Sequence, residues 1–346
     1  MPVRIAVDAM GGDHAPAVVV EGSLAAAREW GHRILLVGRE DAIRAELKRL
    51  AARDGEVEVI HAPETIEMHE PPVLALRRKK HSSIRVGAHL VREGRADGFV
   101  SAGNTGAVMA CSKVSLGTIQ GIDRPAVTAV LPNLHGRSVW LDVGANVECR
   151  PNHLRQFALM GSIYAREVLG VSNPRVGLLS VGEEDTKGND LTKEVFKDLR
   201  AATFNFIGNV EGRDIFNGSC DVIVCDGFTG NVSLKAIESV SEMLIIFLKQ
   251  ELKSSLVARL GLALARPALK RFRKTIDYAE YGGFPLLGVR GSVIIGHGRS
   301  SAKAIKNAIR ACAETSESRV NDRIQEVIAA DPAFARVAAA VAEVRP

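Results

Sequence analysis

Short apolar segments alternate along the chain with longer segments whose apolar residues recur at helical spacing. The first apolar segment is VRIAV at residues 3–7, and seven others follow: RILLVG, VEVIHAP, DGFVSAG, AVTAVLP, VWLDVGAN, RVGLLSVG and DVIVCDG. This alternation is typical of a mostly parallel sheet with helices on both faces. We therefore predict an α/β fold, a doubly wound α/β/α sandwich, with residues 1–346 in a single domain.

The pattern changes to a continuous helical period over residues 229–279, interrupted at Pro267. Proline removes a backbone donor and disfavours the helix interior, so we expect a break at this residue. The segment predicts a helical hairpin that projects from the α/β body. Leu256, Leu260 and Leu264 repeat at helical spacing near its tip.

Charge is nearly balanced overall but concentrated in this hairpin. The formal net charge of +5 is too small to indicate a nucleic-acid partner. The segment from Lys249 to Lys274 contains eight basic residues and one acidic residue, Glu251. Its local charge is therefore +7, which leaves −2 for the rest of the chain.

A basic element with an apolar stripe binds negative surfaces through apolar burial and charge attraction. We expect the hairpin to dock a negatively charged surface such as an anionic membrane, while the alternative is that its leucines pack against the other helix or a partner subunit. The residues expected to dock are Leu256, Leu260, Leu264, Lys270, Arg271 and Arg273.

Cysteine usage and the N-terminal sequence bear on the compartment. The five cysteines are widely spread, with no CxxC pair and no histidine at zinc-ligand spacing. This favours reduced thiols and predicts no metal site. The first residues, MPVRIAVDAM, lack the features of a signal peptide, and no apolar run approaches the length of about 18 that spans a bilayer. We expect a cytoplasmic protein that contacts the inner face of the membrane peripherally.

Acidic, glycine and amide residues follow five of the predicted strands. They are Asp8, Gly11, Gly12 and Asp13; Ser101, Gly103, Asn104 and Thr105; Asp142, Gly144 and Asn146; residues 182–187; and Asp226, Gly227, Thr229 and Asn231. In an open parallel sheet the carboxyl ends of the strands share one edge, where ligands bind. The chain contains neither GxGxxG nor GxxxxGK[ST], so the usual nucleotide fingerprints are missing.

Two of these strand ends resemble each other. DGFVSAGNTGAV from residue 97 and DVIVCDGFTGNV from residue 221 share the sequence Gly-x-Thr-Gly at the start of a predicted helix. Free backbone N–H groups at a helix start favour an anion, so the pair predicts a phosphate site, although two ordinary strand-to-helix turns remain the alternative. The phosphate or substrate residues predicted here are Asp8, Gly11, Gly12, Gly103, Thr105, Gly106, Asn146, Gly227, Thr229 and Gly230.

The candidate chemistry needs no covalent nucleophile from the protein. The sequence has no GxSxG and no convincing Cys-His arrangement. If phosphate itself attacks a carbonyl group, the protein need only position it and stabilise the developing charge. Lys187, Asn231 and Asn104 are the predicted catalytic residues. The alternatives are a solvated charge for Lys187 and helix caps for the two asparagines, while Asp8 and Asp13 are expected mainly to hold the glycine turn.

Seven segments in order from residue 8 to residue 288 resemble the bacterial phosphate acyltransferase family: DAMGGDHAP, SAGNTGA, LDVGAN, GEEDTKGN, GNVEGRDIFNG, CDGFTGN and YGGFPLLG. The resemblance implies transfer of an acyl group from acyl-acyl-carrier-protein to inorganic phosphate for phospholipid synthesis. It also implies that the acidic carrier protein is a second negative partner that docks on the basic hairpin. It further implies a homodimer, no cofactor, and a fold akin to phosphotransacetylases and isocitrate-type dehydrogenases. Two other functions stay open: a phosphotransacetylase-like enzyme for short acyl-CoA, and a non-catalytic membrane or carrier-protein scaffold.

Overall fold

The computed structural model describes residues 2–251, 261, 264–269, 280 and 282–330. The strands of this part of the chain are β1 (Arg4–Asp8), β2 (Arg33–Gly38), β3 (Glu58–His61), β4 (Gly98–Ser101), β5 (Ala126–Asn133), β6 (Gly136–Leu141), β7 (Val176–Leu179), β8 (Phe206–Val210), β9 (Val222–Val224), β10 (Phe284–Leu287) and β11 (Ser292–Ile295). They form one sheet in the order β3-β2-β1-β4-β11-β10-β5-β6-β9-β7-β8.

Helices connect most of these strands. They are α1 (Ala17–Trp30), α2 (Glu40–Arg49), α3 (Pro72–Arg78), α4 (Ser83–Arg92), α5 (Thr105–Ser115), α6 (Pro151–Glu167), α7 (Asp190–Arg200), α8 (Asp214–Asn217), α9 (Gly227–Glu251), α10 (Ala302–Glu317) and α11 (Val320–Ala330). Within the described ranges, none of the helices has both the length and the apolar character needed to cross a bilayer.

Strand direction divides the sheet into two halves. The first half, β3-β2-β1-β4-β11, is parallel throughout. The second half is β10-β5-β6-β9-β7-β8, in which β6, β9, β7 and β8 are parallel. Antiparallel pairs join β11 to β10, β10 to β5 and β5 to β6. The predicted doubly wound, mostly parallel sheet is confirmed, and β6 and β9 run opposite to β1 and β4.

Helices pack on both faces of the sheet because successive residues of a buried strand point to opposite sides. In β1, Ile5 and Val7 belong to the core that contains Val20 of α1 and Ile309 of α10. Ala6, between them, belongs to the core on the other face, with α4 and α5. A third cluster packs α6, α7 and α11 against the second half of the sheet.

The eight apolar segments that predicted strands all contain strands, whereas β8, β10 and β11 are found only in the structure. β8 contains Gly208 and β10 contains Pro285, two residue types that weaken a strand pattern. β11 is four residues long and directly follows Gly291, so its apolar run is short. These three strands are stable because their neighbours in the sheet supply the pairing.

The first arm of the predicted hairpin is helix α9, which begins at Gly227 and extends for 25 residues. Of the predicted docking residues, Leu256, Leu260, Lys270, Arg271 and Arg273 lie outside the described residues. Residues 264–269 are helical, so the predicted break at Pro267 is wrong. Proline removes one helical hydrogen bond and kinks a helix, but it does not by itself end one.

Candidate active site

The polar strand ends form two separate groups of loops. The first loop group consists of residues 8–13 and 101–106, which follow β1 and β4. The second loop group consists of residues 142–146, 180–189 and 226–231, which follow β6, β7 and β9. The expectation of one shared edge is wrong, because three successive antiparallel pairs reverse the strand direction between the two halves.

Asp8 holds the first loop group together from inside. Its side chain is 1% exposed and accepts hydrogen bonds from Ser101 Oγ at 2.7 Å and from Met10 N at 3.1 Å. Burial raises the pKa of Asp8, against the opposing effect of hydrogen bonds from Ser83 and Ser101. This carboxyl group therefore joins the end of β1 to the end of β4, in agreement with the expected structural role.

The glycines of the first loop group allow its two loops to touch. A Cβ on Gly11 would lie 2.6 Å from Asp8 Oδ2 and 2.6 Å from Gly103 N. Gly12 has a φ of +102°, and the next residue, Asp13, donates its N–H to Gly298 O at 2.8 Å. Gly11 and Gly103 thus serve loop packing, while Gly12 lines an open cavity.

Asn104 is the N-cap of α5. Its Oδ1 accepts the N–H of Ala107 at 3.0 Å, and its Nδ2 donates to the carbonyl groups of Met68 and Glu70, both at 3.0 Å. The predicted alternative of a helix cap therefore describes this side chain. Both its oxygen and its N–H₂ group form hydrogen bonds within the protein. Its neighbours differ, since Thr105 is exposed and Gly106 packs against Pro72.

Asp142 is the centre of the second loop group and is fully buried. Its Oδ1 accepts from the N–H groups of Val127, Gly144 and Ala145 at 3.1, 3.1 and 2.9 Å. Its Oδ2 accepts from Asn146 N at 2.7 Å and Asn146 Nδ2 at 2.8 Å. Burial raises the pKa of Asp142, while these donors act in the opposite direction. Because all five partners are N–H donors, the loop is arranged to bind the two oxygens of an ionised carboxylate.

The second Gly-x-Thr-Gly sequence packs onto the Asp142 loop. A Cβ on Gly227 would lie 2.7 Å from Asp142 Oδ2, and one on Gly230 would collide with the Asp142 carbonyl oxygen. The Thr229 hydroxyl donates to Asp226 Oδ2 at 2.7 Å, and Asn146 Nδ2 also donates to the carbonyl oxygen of Pro125 at 2.8 Å. These polar groups are occupied by partners within the loops.

Lys187 and Asn231 are the predicted catalytic residues whose polar groups stay free. Lys187 is exposed, its aliphatic stem lies over Gly182, and no partner among the described residues binds its ammonium group. Asn231 is half-buried beside Gly144, and its amide likewise has no partner in that part of the chain. Since β7 and β9 are adjacent and parallel, the loops that carry the two residues leave the sheet side by side.

Helix α9 connects the two loop groups. It begins in the second group, and Glu238 Oε2 lies 3.6 Å from Nε2 of His297, in the loop after β11. A second pair joins Glu242 to Arg299 at 3.6 Å. At 1.5 Å per residue, Asn231 and Glu238 are about 10 Å apart along the helix. The same loop after β11 binds Asp13 through Gly298 O, so about two turns of α9 bridge the groups.

The cysteines are not activated for nucleophilic attack. Burial raises the pKa of the Cys149 thiol to about 12, and the Asp142 charge acts in the same direction. Cys225, fully buried, accepts a hydrogen bond from Trp140 Nε1 at 3.2 Å, and burial again raises its pKa. Both thiols next to the second loop group are therefore held in the neutral form, which is a poor nucleophile.

A cavity of about 710 Å³ lies where β1, β2 and β3 end. Gly12, Asp13 and the loop from Pro63 to His69 line it, together with Arg39 and Lys79. Neither Arg39 nor Lys79 can be recognised as a site residue from local sequence, because the lining comes from separate loops that only the sheet order brings together. Within the described residues, no cluster of three or more His, Cys, Asp or Glu side chains could hold a metal ion.

Comparison with solved structures identifies the class of fold. A phosphotransacetylase from Streptococcus pyogenes superposes with a TM-score of 0.62 at 19% identity and covers 91% of this chain and 94% of its own. A branched-chain phosphotransacylase from Enterococcus faecalis gives a TM-score of 0.58 at 13% identity, with coverages of 91% and 99%. The protein therefore has the α/β fold of the phosphotransacetylases.

Sequence comparison then gives the family. The family model described as "Fatty acid synthesis protein" matches residues 3–323. The protein named "Phosphate acyltransferase" from Pelotomaculum thermopropionicum is 54% identical over 326 residues, which cover 94% of this chain and 95% of that protein. Its namesake from Heliobacterium modesticaldum is 55% identical over 327 residues, with coverages of 94% and 98%. The chain belongs to this family of acyl-transferring enzymes, as the resemblance predicted.

Proposed function

We propose that this protein transfers a long-chain acyl group from acyl-acyl-carrier-protein to inorganic phosphate. An oxygen of phosphate attacks the thioester carbonyl carbon and forms a C–O bond, the C–S bond breaks, and the carrier thiolate leaves and takes up a proton. The products are acyl-phosphate, a precursor for phospholipid synthesis, and free carrier protein. Phosphate supplies the nucleophile, so the neutral cysteines take no part in the reaction.

One observation carries this proposal: Lys187 and Asn231 have free polar groups at neighbouring strand ends, where the side chains of Asp142, Asn146 and Thr229 are occupied by partners. An ammonium and an amide N–H₂ group are suited to bind phosphate oxygens and the oxyanion that develops on the attacked carbonyl. Because Asp142 and its loop fix the start of α9, the Asn231 amide is positioned before the substrate arrives. Asn104 then acts by holding the loop at residues 67–70.

Helix α9 carries an exposed apolar surface that bears on the assembly of the enzyme. Large apolar side chains are exposed along it: Phe228, Val232, Val240, Met243, Leu244, Ile246, Phe247 and Leu248. An apolar patch of this size marks an interaction surface, and we assign it to a homodimer contact. Leu264, which is 79% exposed, supports peripheral membrane contact by the hairpin tip of a cytoplasmic enzyme.

The experiment that tests the function supplies palmitoyl-carrier protein, acetyl-CoA and phosphate, and identifies the acyl-phosphate formed. Palmitoyl-phosphate is expected. Acetyl-phosphate alone would favour a short-chain phosphotransacetylase, the activity that the structural neighbours' names suggest. If neither forms, a non-catalytic scaffold is the better explanation.

The residue assignment has its own test. Lys187→Ala and Asn231→Ala should each lower kcat by about 10²–10³-fold, the usual loss for one preorganised donor. Lys193→Ala and Lys235→Ala are the controls, since both side chains are exposed, one on α7, which follows the Lys187 loop, and the other on α9, which carries Asn231. Normal turnover in both test variants, with unchanged thermal unfolding, contradicts the assignment.

A further inference from the structure

The cavity at the ends of β1, β2 and β3 has the position and the size of a ligand site. It lies next to the point where the strand order of the first half reverses: the chain passes from β1 to β2 and β3 on one side, and then returns to β4 on the other side of β1. Open α/β sheets bind ligands in the crevice at such points. Its volume of about 710 Å³ falls within the range of small-molecule sites.

The charges that line the cavity select an elongated ligand with one anionic end. Lys79 is already bound to Glu70 at 2.7 Å and to the carbonyl of Thr65 at 2.6 Å. Arg39, at the start of α2, is exposed and has no partner among the described residues. It is therefore the lining cation that can bind a phosphate group, in the bidentate geometry that guanidinium favours.

Three carboxylates also line the cavity, from Asp13, Glu64 and Glu67. They repel a small dianion such as inorganic phosphate, but they accept hydrogen bonds from amide N–H groups. Met10 and Met68 add apolar contacts. A phosphodiester followed by a chain with two amide groups matches this combination.

We propose that this cavity binds the phosphopantetheine arm of the acyl carrier, with Arg39 on its phosphodiester. The inference rests on the proposed function, which supplies a carrier thioester as the acyl donor. An arm that lies over Gly12 and Asp13 reaches the loop after β11, because Asp13 donates to Gly298 O. His297 in that loop contacts α9, which leads to Asn231.

The test compares donors of different length with the Arg39→Ala variant. The KM for palmitoyl-carrier protein, whose arm is joined to the protein through a phosphodiester, should rise about tenfold or more, the usual effect of losing a charged hydrogen bond. The KM for the palmitoyl thioester of N-acetylcysteamine, which lacks the phosphodiester, should stay within about twofold. Arg44→Ala is the matched control, because Arg44 is exposed on the same helix, pairs with Glu40 and lies outside the lining.

A calorimetric titration with the methyl phosphodiester of phosphopantetheine, which carries one negative charge as the arm on the carrier does, separates this inference from the proposed function, because it needs no turnover. Binding to the wild type that weakens about tenfold in Arg39→Ala supports the site even if no donor is turned over. No binding to the wild type, equal binding to both proteins, or displacement by inorganic phosphate overturns it. Equal KM increases for the long and the truncated donor overturn it as well.

Discussion

Asp8 and Asp142 occupy matching places in the two halves of the sheet, yet their surroundings differ. Asp8 is the last residue of β1, and Asp142 directly follows β6. The neighbouring strands, β4 and β9, each lead into a Gly-x-Thr-Gly sequence. Asp142 accepts five hydrogen bonds, all from N–H donors of its own loop and β5. Asp8 accepts from serine hydroxyls as well as backbone. Every donor around Asp142 favours its ionised form, whereas a serine hydroxyl beside Asp8 can also accept a hydrogen bond from the protonated carboxyl group.

The largest difference is expected between the two Gly-x-Thr-Gly sequences. Gly230→Ala should lower the free energy of unfolding by about 3 kcal/mol or more, because the new Cβ collides with the Asp142 backbone. Gly106→Ala should cost about 1–2 kcal/mol, because its Cβ would lie 2.6 Å from the Pro72 ring at the start of α3, which must shift, while the helix propensity of alanine offsets part of the cost. Urea unfolding measures both, and Gly212→Ala, in open space, is the control.

Equal losses for Gly106→Ala and Gly230→Ala would show that the two loop groups are packed alike. The comparison between the halves would then fail.

The two carboxylates themselves give the next largest effect. Asp142→Asn should destabilise by about 3 kcal/mol, because an amide N–H₂ group would face N–H donors whichever way it turns. Asp8→Asn should destabilise by about 1 kcal/mol, since the Ser101 hydroxyl can rotate to accept from the new amide while the other oxygen still binds Met10. Chemical unfolding of both variants at neutral pH measures the difference, and a larger loss for Asp8→Asn contradicts it.

The raised pKa of Asp8 predicts a pH dependence. The unfolded group titrates near 3.8, and burial raises the folded pKa above that value. The protonated form therefore favours folding, and its stabilising contribution is complete below the unfolded pKa and is lost as pH rises through the folded pKa. Relative to Asp8→Asn, the wild type should lose about 1.4 kcal/mol for each unit of the rise in pKa.

Unfolding free energies of wild type and Asp8→Asn, measured from about pH 3 to about pH 8, test this pH dependence. Two parallel curves would mean that Asp8 has the same pKa in the folded and unfolded protein.

The smallest effect is expected at Cys149, the cysteine next to the second loop group that is only half-buried. Its pKa of about 12 leaves almost no thiolate at neutral pH. Cys149→Ala should keep kcat within about twofold of wild type, because phosphate is the proposed nucleophile. A loss of activity as large as that expected for Lys187→Ala would instead assign Cys149 to the reaction.

Local pattern was sufficient to predict the strands and the polar residues at their ends. The alternation of apolar and polar residues identifies β1 to β7 and β9, and the position of Asn104 at a predicted helix start is sufficient to predict a cap, which binds Ala107 N. Both features depend on residues within a few positions of each other.

Long-range pairing was beyond the sequence. The direction of β6 depends on its antiparallel pairing with β5. It also depends on β10 and β11, which lie more than 140 positions later in the sequence and join β5 to the first half of the sheet. The place of Arg39 in a cavity, and the contact of Glu238 with His297, depend on the same assembly. For that reason the predicted single site was divided into two loop groups by the structure.

The pairing of β11 with β4 has a consequence for synthesis of the chain. β4 ends at Ser101, but the strand that covers its free side begins at Ser292. At ribosomal rates of about 5–20 residues per second, an interval on the order of ten seconds separates their appearance. During that time the second half can form its contiguous parallel strands, while β4 presents an open edge to other chains. Truncation before β11 should therefore yield a protein that aggregates through β4, whereas the complete chain closes its own sheet.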